Sequence, residues 1–466
     1  MVNEIKFGTD GWRAITDKVF NDENVKSAVN AIGKYIFEEF CIDKKVIIGY
    51  DPRYKAEYFA QLSAEILKNI GFTVLLSKKI IPTPVLAYQA KALNACALMF
   101  TASHNPPEYL GLKFIPDYAG PATSDITDKI TKNLGEKVTT CSVNGSIKKV
   151  DFSAEYFEHL ETIIDFDKIK KHFNTENATK IIYDGLYSAT ISYFDKLLEN
   201  HGIKFESLHL FHDTNFGGGM PEPKPQYMKD LIEKIKNEGN SIGVANDGDG
   251  DRFGVINENG EYVTPNEIIA ILLIHLKKNK NYTGSLVKTV GASLMLNLIA
   301  QKLGVELIET AVGFKHVGEA MRKFNPIIAG EESGGLSIKN HIPEKDGILA
   351  NLLILEAMAY ENKTLVKLQN EIKSIIGIEF INDRIDKKLE NCDEIKPFLE
   401  KVKKITQLAN LKVAKVDLTD GVKLFFEDNQ SWILARPSGT EPLLRIYFET
   451  SSKEKMDALQ KAITNL

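Results

Sequence analysis

Short apolar stretches alternate with longer amphipathic stretches along most of the chain. The short stretches are rich in β-branched residues and end at Gly, Asp or Ser; they lie at 45–51, 95–103, 180–185, 241–251 and 325–335. Runs of this kind predict buried strands. The longer stretches, such as 56–70 and 264–278, place apolar residues at helical spacing, and Thr264 followed by Pro265 is a typical helix start. The alternation predicts α/β units.

Three changes in this pattern indicate domain boundaries. They are the polar stretch 134–149, the hairpin-like stretch 253–263 and the region of Gly377, which precedes the charged stretch 383–404. We therefore predict three α/β domains and a smaller C-terminal domain, with bounds 1–150, 151–255, 256–373 and 374–466. A chain of 466 residues is long enough to form several separate cores.

Composition and charge narrow the class of protein. The chain has 43% hydrophobic residues, 26% charged residues and a net charge of −5, which is typical of a globular protein and gives no basic excess for nucleic acid or an anionic membrane. The longest apolar runs, 268–276 and 348–355, are too short to span a membrane. The first residues lack a signal-peptide pattern, and the four cysteines form no CxxC pair. We expect a cytoplasmic protein with reduced thiols.

Polar side chains follow three of the predicted strands at the point where each strand ends. They include Ser103, Asp247 and Glu331. Because open α/β sheets bind ligands at the carboxyl ends of their strands, these residues are the first candidates for a functional site. Separate domains can turn such strand ends toward one shared cleft.

The first cluster is TASHNPPEYLGLKF at 101–114. A serine at a strand end, followed by His104, Asn105 and two prolines that stiffen the loop, has the features of an exposed nucleophile. The same residues also fit a polar turn in which Ser103 and Asn105 bond their own backbone. This segment alone favours neither interpretation.

The second cluster, DGDGDR at 247–252, places three aspartates at alternate positions with glycines between them. Such carboxylates are hard oxygen ligands for one divalent cation such as Mg²⁺, and without a cation they would repel one another. An EF-hand is a rival because Glu258 occupies the twelfth position, but Arg252 stands at the sixth, where the EF-hand requires Gly. A solvated acidic turn is the other alternative, and the repulsion favours the metal site over it.

Two further loops carry candidate ligand groups, although each also fits an ordinary Gly-rich turn. GEESGG at 330–335 offers carboxylates and a hydroxyl to the vicinal hydroxyls of a sugar. RPSGTEP at 436–442 offers an anion one guanidinium, two hydroxyls and backbone amides. Arg13, Lys288 and Lys315 are isolated cations, and such residues are most often solvated. No Walker motif and no strand-linked GxGxxG is present, so the sequence gives no support for nucleotide binding.

Taken in this order, FGTDGWR at 7–13 and the four motifs above resemble the α-D-phosphohexomutases, the phosphoglucomutase/phosphomannomutase superfamily. The motifs span nearly the whole chain, and TASHNP with DGDGDR is the most specific pair. The resemblance implies three mixed α/β-sheet domains plus a smaller α+β C-terminal domain around a central active-site cleft. It also implies an isomerase that converts a hexose 1-phosphate to the 6-phosphate through a bisphosphorylated intermediate.

The resemblance further implies a role for each motif. Ser103 matches the phosphoserine, and His104 adjoins it. The ligands of one Mg²⁺ in the family are matched here by Asp247, Asp249 and Asp251. The seryl phosphate completes the coordination shell of that ion. The matches to basic residues around the transferring group are Arg13, Lys113 and Arg252, of which Lys113 is a candidate for proton transfer.

On the substrate side, Glu331 and Ser333 match the contacts to the sugar hydroxyls. The matches to the loop that holds the non-reacting phosphate are Arg436, Ser438, Gly439 and Thr440. VGFKHV at 312–317 resembles the glucose-type loop, with Lys315 as a candidate cation of the sugar loop, and Lys288 completes the candidate substrate contacts. Departures from the family pattern occur at Trp12 and Pro437.

The choice of sugar rests on the same loops. GEESGG ends in Gly335, where phosphomannomutase-like and phosphoglucosamine-mutase-like members commonly carry His. This favours phosphoglucomutase activity on glucose 1-phosphate and glucose 6-phosphate, with glucose 1,6-bisphosphate as intermediate and activator. Phosphomannomutase activity, or dual specificity, is the alternative. Phosphoglucosamine mutase activity is less favoured because the usual Gln of that loop is absent.

Two other classes of function stay open at this stage. A phosphatase would use the same serine and Mg²⁺ but release inorganic phosphate, and a non-catalytic Ca²⁺-binding protein would need only the Asp loop. For the mutase we expect a small phosphosugar as partner, no nucleic acid or membrane, and a monomer or homodimer.

Overall fold

The computed structural model describes residues 5–8, 11–40, 45–136, 145–389, 391–437 and 443–466. These residues form four consecutive domains, each built on its own β-sheet. The predicted fold class, three mixed α/β-sheet domains followed by an α+β domain, is confirmed. Within these ranges no helix is long and apolar enough to cross a membrane.

The first domain contains a mixed sheet with helices packed against it. Its strands are β1 (Trp12–Ile15), β2 (Val46–Tyr50), β3 (Thr73–Ser77), β4 (Cys96–Phe100), β5 (Tyr109–Ile115) and β6 (Ser146–Val150). Its helices are α1 (Asp22–Phe40), α2 (Ala56–Ile70), α3 (Thr83–Ala92) and α4 (Ser124–Lys132). The strand order is β1-β5-β4-β2-β3-β6, in which β4, β2, β3 and β6 are parallel. Because β2 and β4 are parallel neighbours, the segments that follow Tyr50 and Phe100 emerge at the same edge.

The second domain has the strand order β11-β10-β9-β7-β8. Its strands are β7 (Lys180–Asp184), β8 (Glu206–Leu208), β9 (Ser241–Asn246), β10 (Phe253–Ile256) and β11 (Tyr262–Val263). Its helices, with the two that lead into it, are α5 (Ser153–Ile163), α6 (Phe166–Phe173), α7 (Phe194–Asn200) and α8 (Lys229–Glu238), and a 3₁₀ turn lies at Phe216–Gly218. The predicted hairpin is present, but the predicted boundary after residue 255 falls inside β10. That boundary is wrong because β10 pairs with β9 and β11 in one antiparallel ladder.

The third domain has the strand order β13-β12-β14-β15. Its strands are β12 (Leu286–Thr289), β13 (Leu307–Thr310), β14 (Ile328–Glu331) and β15 (Gly335–Ile338). Its helices are α9 (Pro265–Lys278), α10 (Leu294–Leu303), α11 (Phe314–Phe324), α12 (Gly347–Glu361) and α13 (Leu365–Ile376). The predicted start of α9 is confirmed: the Thr264 side chain accepts from the Glu267 amide, and the Glu267 carboxylate accepts from the Thr264 amide.

Helix α12 joins the second and third domains. It is apolar around its whole circumference, as expected of a helix that is buried on all sides. It packs against α6, β9 and β10 on one side and against α9 and β15 on the other. At its first residue, a Cβ on Gly347 would lie 2.2 Å from the carbonyl oxygen of Arg252, so only glycine allows this approach. The close contact fixes the start of α12 against the DGDGDR loop.

The fourth domain is an antiparallel sheet with the strand order β16-β21-β20-β19-β18-β17. Its strands are β16 (Ile381–Lys388), β17 (Gln407–Leu408), β18 (Leu411–Asp417), β19 (Val422–Phe426), β20 (Trp432–Pro437) and β21 (Leu443–Thr450). A 3₁₀ turn lies at Cys392–Glu394, and the helices are α14 (Ile395–Lys403) and α15 (Lys453–Thr464). Both helices contribute to the apolar core on one face of the sheet.

The fourth domain contacts the third through buried polar side chains. Glu449 accepts a hydrogen bond of 2.7 Å from the amide of Leu294, at the start of α10. Lys423 donates one of 2.6 Å to the carbonyl of Val290. These contacts place β20, which leads into the RPSGTEP loop, beside the third domain.

Candidate active site

The ends of β4 and β9 meet across the boundary between the first two domains. The Ser103 hydroxyl donates a hydrogen bond of 2.7 Å to Oδ2 of Asp247 and lies 3.3 Å from Nδ1 of His104. Ser103 is 1% exposed, and its φ is +51°, in the left-handed region that non-glycine residues rarely adopt. Such strain persists where the surroundings hold the backbone, and it is concentrated at functional sites.

The three aspartates of DGDGDR are buried and converge. One carboxylate oxygen from each of Asp247, Asp249 and Asp251 lies within 4.8 Å of the others. Oδ1 of Asp251 is buried and has no hydrogen-bond partner among the described residues. Hard oxygen ligands at this spacing, one of them without a partner, fit a single divalent cation such as Mg²⁺. Burial, together with the charges of Asp251 and Asp249, raises the pKa of Asp247, and a bound cation would relieve this repulsion.

Two lysines already contact this acidic loop. Nζ of Lys113 lies 2.9 Å from Oδ2 of Asp249 and 2.9 Å from Oδ2 of Asp251. Nζ of Lys345 lies 3.2 Å from the same oxygen of Asp251. Lys113 is contributed by β5 of the first domain and Lys345 by the third domain, while the aspartates belong to the second. Charged side chains from three domains therefore meet at the Asp251 carboxylate.

Arg13 and Arg252 line the same region. Arg13 donates a hydrogen bond of 2.8 Å from Nη1 to the side-chain oxygen of Asn105, in the loop that carries Ser103. The Arg252 amide donates to Oδ1 of Asp247 at 2.9 Å, and its guanidinium lies 3.6 Å from the Glu222 carboxylate. Both residues are therefore close to the serine and the aspartates, as the sequence analysis expected.

The third strand end, at β14, carries the GEESGG loop. Ser333 donates a hydrogen bond of 2.5 Å to Oε1 of Glu331, which is buried. Burial raises the pKa of Glu331, and the Lys345 charge opposes that shift. A Cβ on Gly335 would lie 2.4 Å from Cδ of Lys345 and 3.4 Å from Oε1 of Glu331. The absence of a side chain at 335 thus leaves the space through which Lys345 extends.

Three of the predicted substrate contacts are engaged by other groups of the protein. Lys288 has no exposed surface and donates hydrogen bonds of 3.1 Å to the carbonyls of Ala292 and Ser293, so the protein itself holds its ammonium group and its role as a substrate contact stays a prediction. Lys315, in the first turn of α11, donates to the Ser124 hydroxyl of the first domain at 3.0 Å. Arg436 pairs with Asp420 at 2.8 Å. Ser438, Gly439 and Thr440 lie outside the described residues.

The sequence analysis did not single out three residues that the structure places at the site. They are Arg53, Thr83 and Lys345. Arg53 donates to the carbonyl of Ser103 at 2.6 Å, and the Thr83 hydroxyl donates to Oδ2 of Asp249 at 2.6 Å. The signal for Arg53 is its position two residues after Asp51, at the end of the predicted strand 45–51, which pairs with β4 in the structure. The other two give no comparable signal in the sequence.

Comparison with known proteins establishes the family. Models of the four phosphoglucomutase/phosphomannomutase domains match residues 4–139 for alpha/beta/alpha domain I, 154–260 for domain II, 264–375 for domain III and 390–466 for the C-terminal domain. The chain belongs to the phosphoglucomutase/phosphomannomutase family. Members of this family are phosphohexomutases, which are isomerases that transfer a phosphoryl group.

Relatives in this family carry different substrate names. A Thermococcus kodakarensis protein named phosphoglucomutase/phosphomannomutase is 31% identical over 459 residues, which cover 96% of this chain and 95% of the relative. A Methanococcus vannielii phosphoglucosamine mutase is 30% identical over 418 residues, which cover 88% of this chain and 89% of the relative. A crystal structure of a Thermus thermophilus protein named as a phosphomannomutase superposes with a TM-score of 0.87 at 30% identity. The match covers 99% of this chain and 98% of that protein. The phosphohexomutase family is therefore established, and the sugar is not.

Proposed function

We propose that this phosphohexomutase is a phosphoglucomutase that interconverts α-D-glucose 1-phosphate and glucose 6-phosphate, with Ser103 carrying the transferred phosphoryl group. The observation that carries the proposal is the contact of 2.7 Å between the Ser103 hydroxyl and Asp247, within a buried group of three aspartates and two lysines. A serine held against a metal-binding loop and surrounded by cations is suited to phosphoryl transfer, because that reaction depends on positioning and charge stabilisation.

The charge balance of the site supports this assignment. A phosphoserine adds a charge of about −1.5 to −2 beside three carboxylates. Mg²⁺ held by Asp247, Asp249 and Asp251 would supply a Lewis acid that stabilises this charge. Lys113 and Lys345 supply positive charge from the first and third domains, and both contact Oδ2 of Asp251.

The reaction proceeds by two transfers in this proposal. In the first, the O6 hydroxyl of glucose 1-phosphate attacks the phosphorus on Ser103, the bond to Oγ breaks, and glucose 1,6-bisphosphate forms. In the second, Oγ attacks the phosphorus on O1 and glucose 6-phosphate leaves. We assign the exchange of the Oγ proton to His104, and the distance of 3.3 Å between its Nδ1 and Oγ supports this assignment. Lys113 is the candidate for the proton of the sugar hydroxyl.

The remaining residues are assigned to substrate binding. Glu331 and Ser333 accept and donate hydrogen bonds to sugar hydroxyls, and Arg13 and Arg252 stabilise the transferring phosphate. Arg436 and the loop 438–440 hold the non-reacting phosphate, so that each orientation of the bisphosphate is bound in turn. The bisphosphate itself serves as the activator that rephosphorylates Ser103.

Glucose is proposed as the sugar because of Gly335 and Lys345. Where a family member carries His at the position of Gly335, its side chain would occupy the space that Lys345 fills here. Lys345 then presents an ammonium group to the sugar from the segment that follows β15. The names of relatives support two alternatives, namely mannose phosphates and glucosamine phosphates.

Parallel measurements of kcat/KM for the 1-phosphates of glucose, mannose and glucosamine test the proposal, with glucose 1,6-bisphosphate and Mg²⁺ present. We expect the highest value for glucose and no net release of inorganic phosphate. A higher value for mannose or glucosamine would contradict the sugar assignment. Stoichiometric phosphate release would identify a phosphatase instead of a mutase.

A further inference from the structure

The guanidinium of Arg53 is completely engaged by the loop that carries Ser103. Nη2 donates to the carbonyls of Ser103 and Asn105 at 2.6 and 2.7 Å. Nη1 donates to the carbonyls of Pro106 and Tyr109 at 2.8 and 3.0 Å. Nε donates to Oδ2 of Asp51 at 3.2 Å. An arginine has five N–H donors, so every donor of this buried side chain has an acceptor within the protein.

A second chain of hydrogen bonds reaches the same serine from Asp51. Oδ2 of Asp51 accepts from the Thr101 hydroxyl at 2.6 Å, and the Thr101 hydroxyl oxygen accepts from the Ser103 amide at 2.8 Å. The amide and the carbonyl of Ser103 are therefore both held, the amide through Thr101 and the carbonyl by Arg53. Asp51 connects the two because it pairs with Arg53 as well.

The held loop is packed tightly against the second domain. A Cβ on Gly248, within DGDGDR, would lie 2.6 Å from the Ser103 carbonyl oxygen. The ring of Phe216, from the second domain, lies with its centroid 5.0 Å from the Arg53 guanidinium carbon. Arg53 thus lies between the serine loop and the second domain, where a change in its geometry would move Ser103 relative to Asp247.

We propose that Arg53, together with Asp51 and Thr101, is a positioning residue for phosphoryl transfer: it holds Ser103 in its left-handed conformation with Oγ directed at the Asp loop. The proposal rests on the proposed role of Ser103. Because all five N–H donors of Arg53 are used by the protein, Arg53 does not bind substrate. Its loss is therefore expected to lower kcat and to leave KM for the hexose phosphate nearly unchanged.

The first test is Arg53→Lys, which keeps the positive charge but cannot reach the carbonyls of Ser103, Asn105, Pro106 and Tyr109 with one ammonium group. Misplacement of a reacting group by about 1 Å can cost roughly 100-fold in rate, and we expect a fall in kcat of about that size. KM and the directly measured affinity for Mn²⁺ are expected to stay within about threefold, because the variant removes no group that contacts the substrate or the metal. Arg322→Lys, at an exposed residue that stacks on Tyr118, is the control.

A second pair of variants tests the other chain of hydrogen bonds. Thr101→Val removes the hydroxyl between Asp51 and the Ser103 amide with little change in volume, whereas Thr101→Ser keeps it. We expect kcat to fall by about tenfold or more in Thr101→Val and to be largely restored in Thr101→Ser. A tenfold fall corresponds to about 1.4 kcal/mol, which is the size expected for the loss of one hydrogen bond. The pair also serves if Arg53→Lys does not fold.

Three results would overturn the proposal. The first is a kcat of Arg53→Lys within about threefold of the wild type, and the second is equal activity of Thr101→Val and Thr101→Ser. The third is a loss of kcat in parallel with Mn²⁺ affinity and melting temperature, which would show a purely structural role. A wild-type protein that turns over none of the three hexose 1-phosphates would overturn the proposed function and this role with it, so the two failures are distinguishable.

Discussion

The Ser103 hydroxyl and the Asp247 carboxylate lie 2.7 Å apart, although 144 positions separate them in the chain. This contact joins the first domain to the second and fixes where a phosphoryl group on Ser103 would lie. It leads to the most direct prediction. We expect Ser103→Ala to lose turnover by about 1,000-fold or more, because it removes the atom that bonds to phosphorus.

The variant should remain folded, since alanine fits the space of the serine, and its melting temperature is the control. Intact mass spectrometry should show that the wild type gains one phosphate on treatment with glucose 1,6-bisphosphate and that Ser103→Ala gains none. Near wild-type turnover in the variant would contradict the role of Ser103.

The metal site gives a second prediction. Asp249→Asn replaces a charged oxygen ligand by a neutral amide, while Oδ2 of Asp249 now receives hydrogen bonds from Thr83 and Lys113. We expect the Mg²⁺ concentration at half-maximal rate to rise by about 10- to 100-fold, the range seen when partners of metal ligands are removed, or by more. Asp167→Asn, at an exposed position of α6, is the control, and an unchanged Mg²⁺ dependence in Asp249→Asn would argue against the triad.

The sequence predicts the parts of this site that share a simple geometric rule. Ser103, Asp247 and Glu331 follow or close strands, and the carboxyl ends of strands in α/β sheets form binding edges. The start of α9 is predicted because Thr264 and Pro265 mark it in the local sequence, and the structure adds the contact of Thr264 with Glu267. In both cases the information lies within a few consecutive residues.

The residues that the sequence misses act across long separations. Lys345 is 94 positions from Asp251, and nothing in its neighbourhood shows that its ammonium lies 3.2 Å from that carboxylate. Lys288 is a second such case, because the sequence does not show that its ammonium is buried against the carbonyls of Ala292 and Ser293. The predicted boundary after residue 255 is wrong because it cuts through β10. The pairing of β10 with β9 is a tertiary contact that the local sequence does not show.

The space beside Gly335 gives a third prediction. Gly335→Ala would place a Cβ 2.4 Å from Cδ of Lys345, so the lysine must move away from Asp251. We expect kcat/KM for glucose 1-phosphate to fall by about tenfold, which corresponds to roughly 1.4 kcal/mol of transition-state stabilisation. The control is Gly219→Ala, whose Cβ would meet only ordinary contacts beyond 3.6 Å.

The same variant tests the sugar assignment. If Lys345 contributes to the preference for glucose, the ratio of kcat/KM for glucose 1-phosphate to that for mannose 1-phosphate should fall in Gly335→Ala and in Lys345→Ala. An unchanged ratio in both variants would remove Gly335 and Lys345 from the account of specificity.

A stacked pair of histidines gives the last prediction, which concerns acid stability. His159 lies 2.9 Å from His341 through their ring nitrogens, and His341 lies 2.9 Å from Asp346, the residue that caps α12. Burial, with the nearby His341, lowers the pKa of His159 from 6.5 to about 4. Between these two values the unfolded chain binds a proton that the folded protein excludes. The contribution of His159 to the free energy of unfolding is therefore complete above about pH 6.5 and is lost as the pH falls toward 4.

Melting temperatures of the wild type and His159→Gln between pH 4.5 and 7.5 measure this contribution. We expect the wild type to lose more stability than the variant as the pH falls, because glutamine keeps a hydrogen-bonding group and does not titrate. Part of the loss should remain in the variant, since burial also lowers the pKa values of His172, His212 and His316. Parallel profiles for the two proteins would show that His159 is protonated in the folded state as readily as in the unfolded chain.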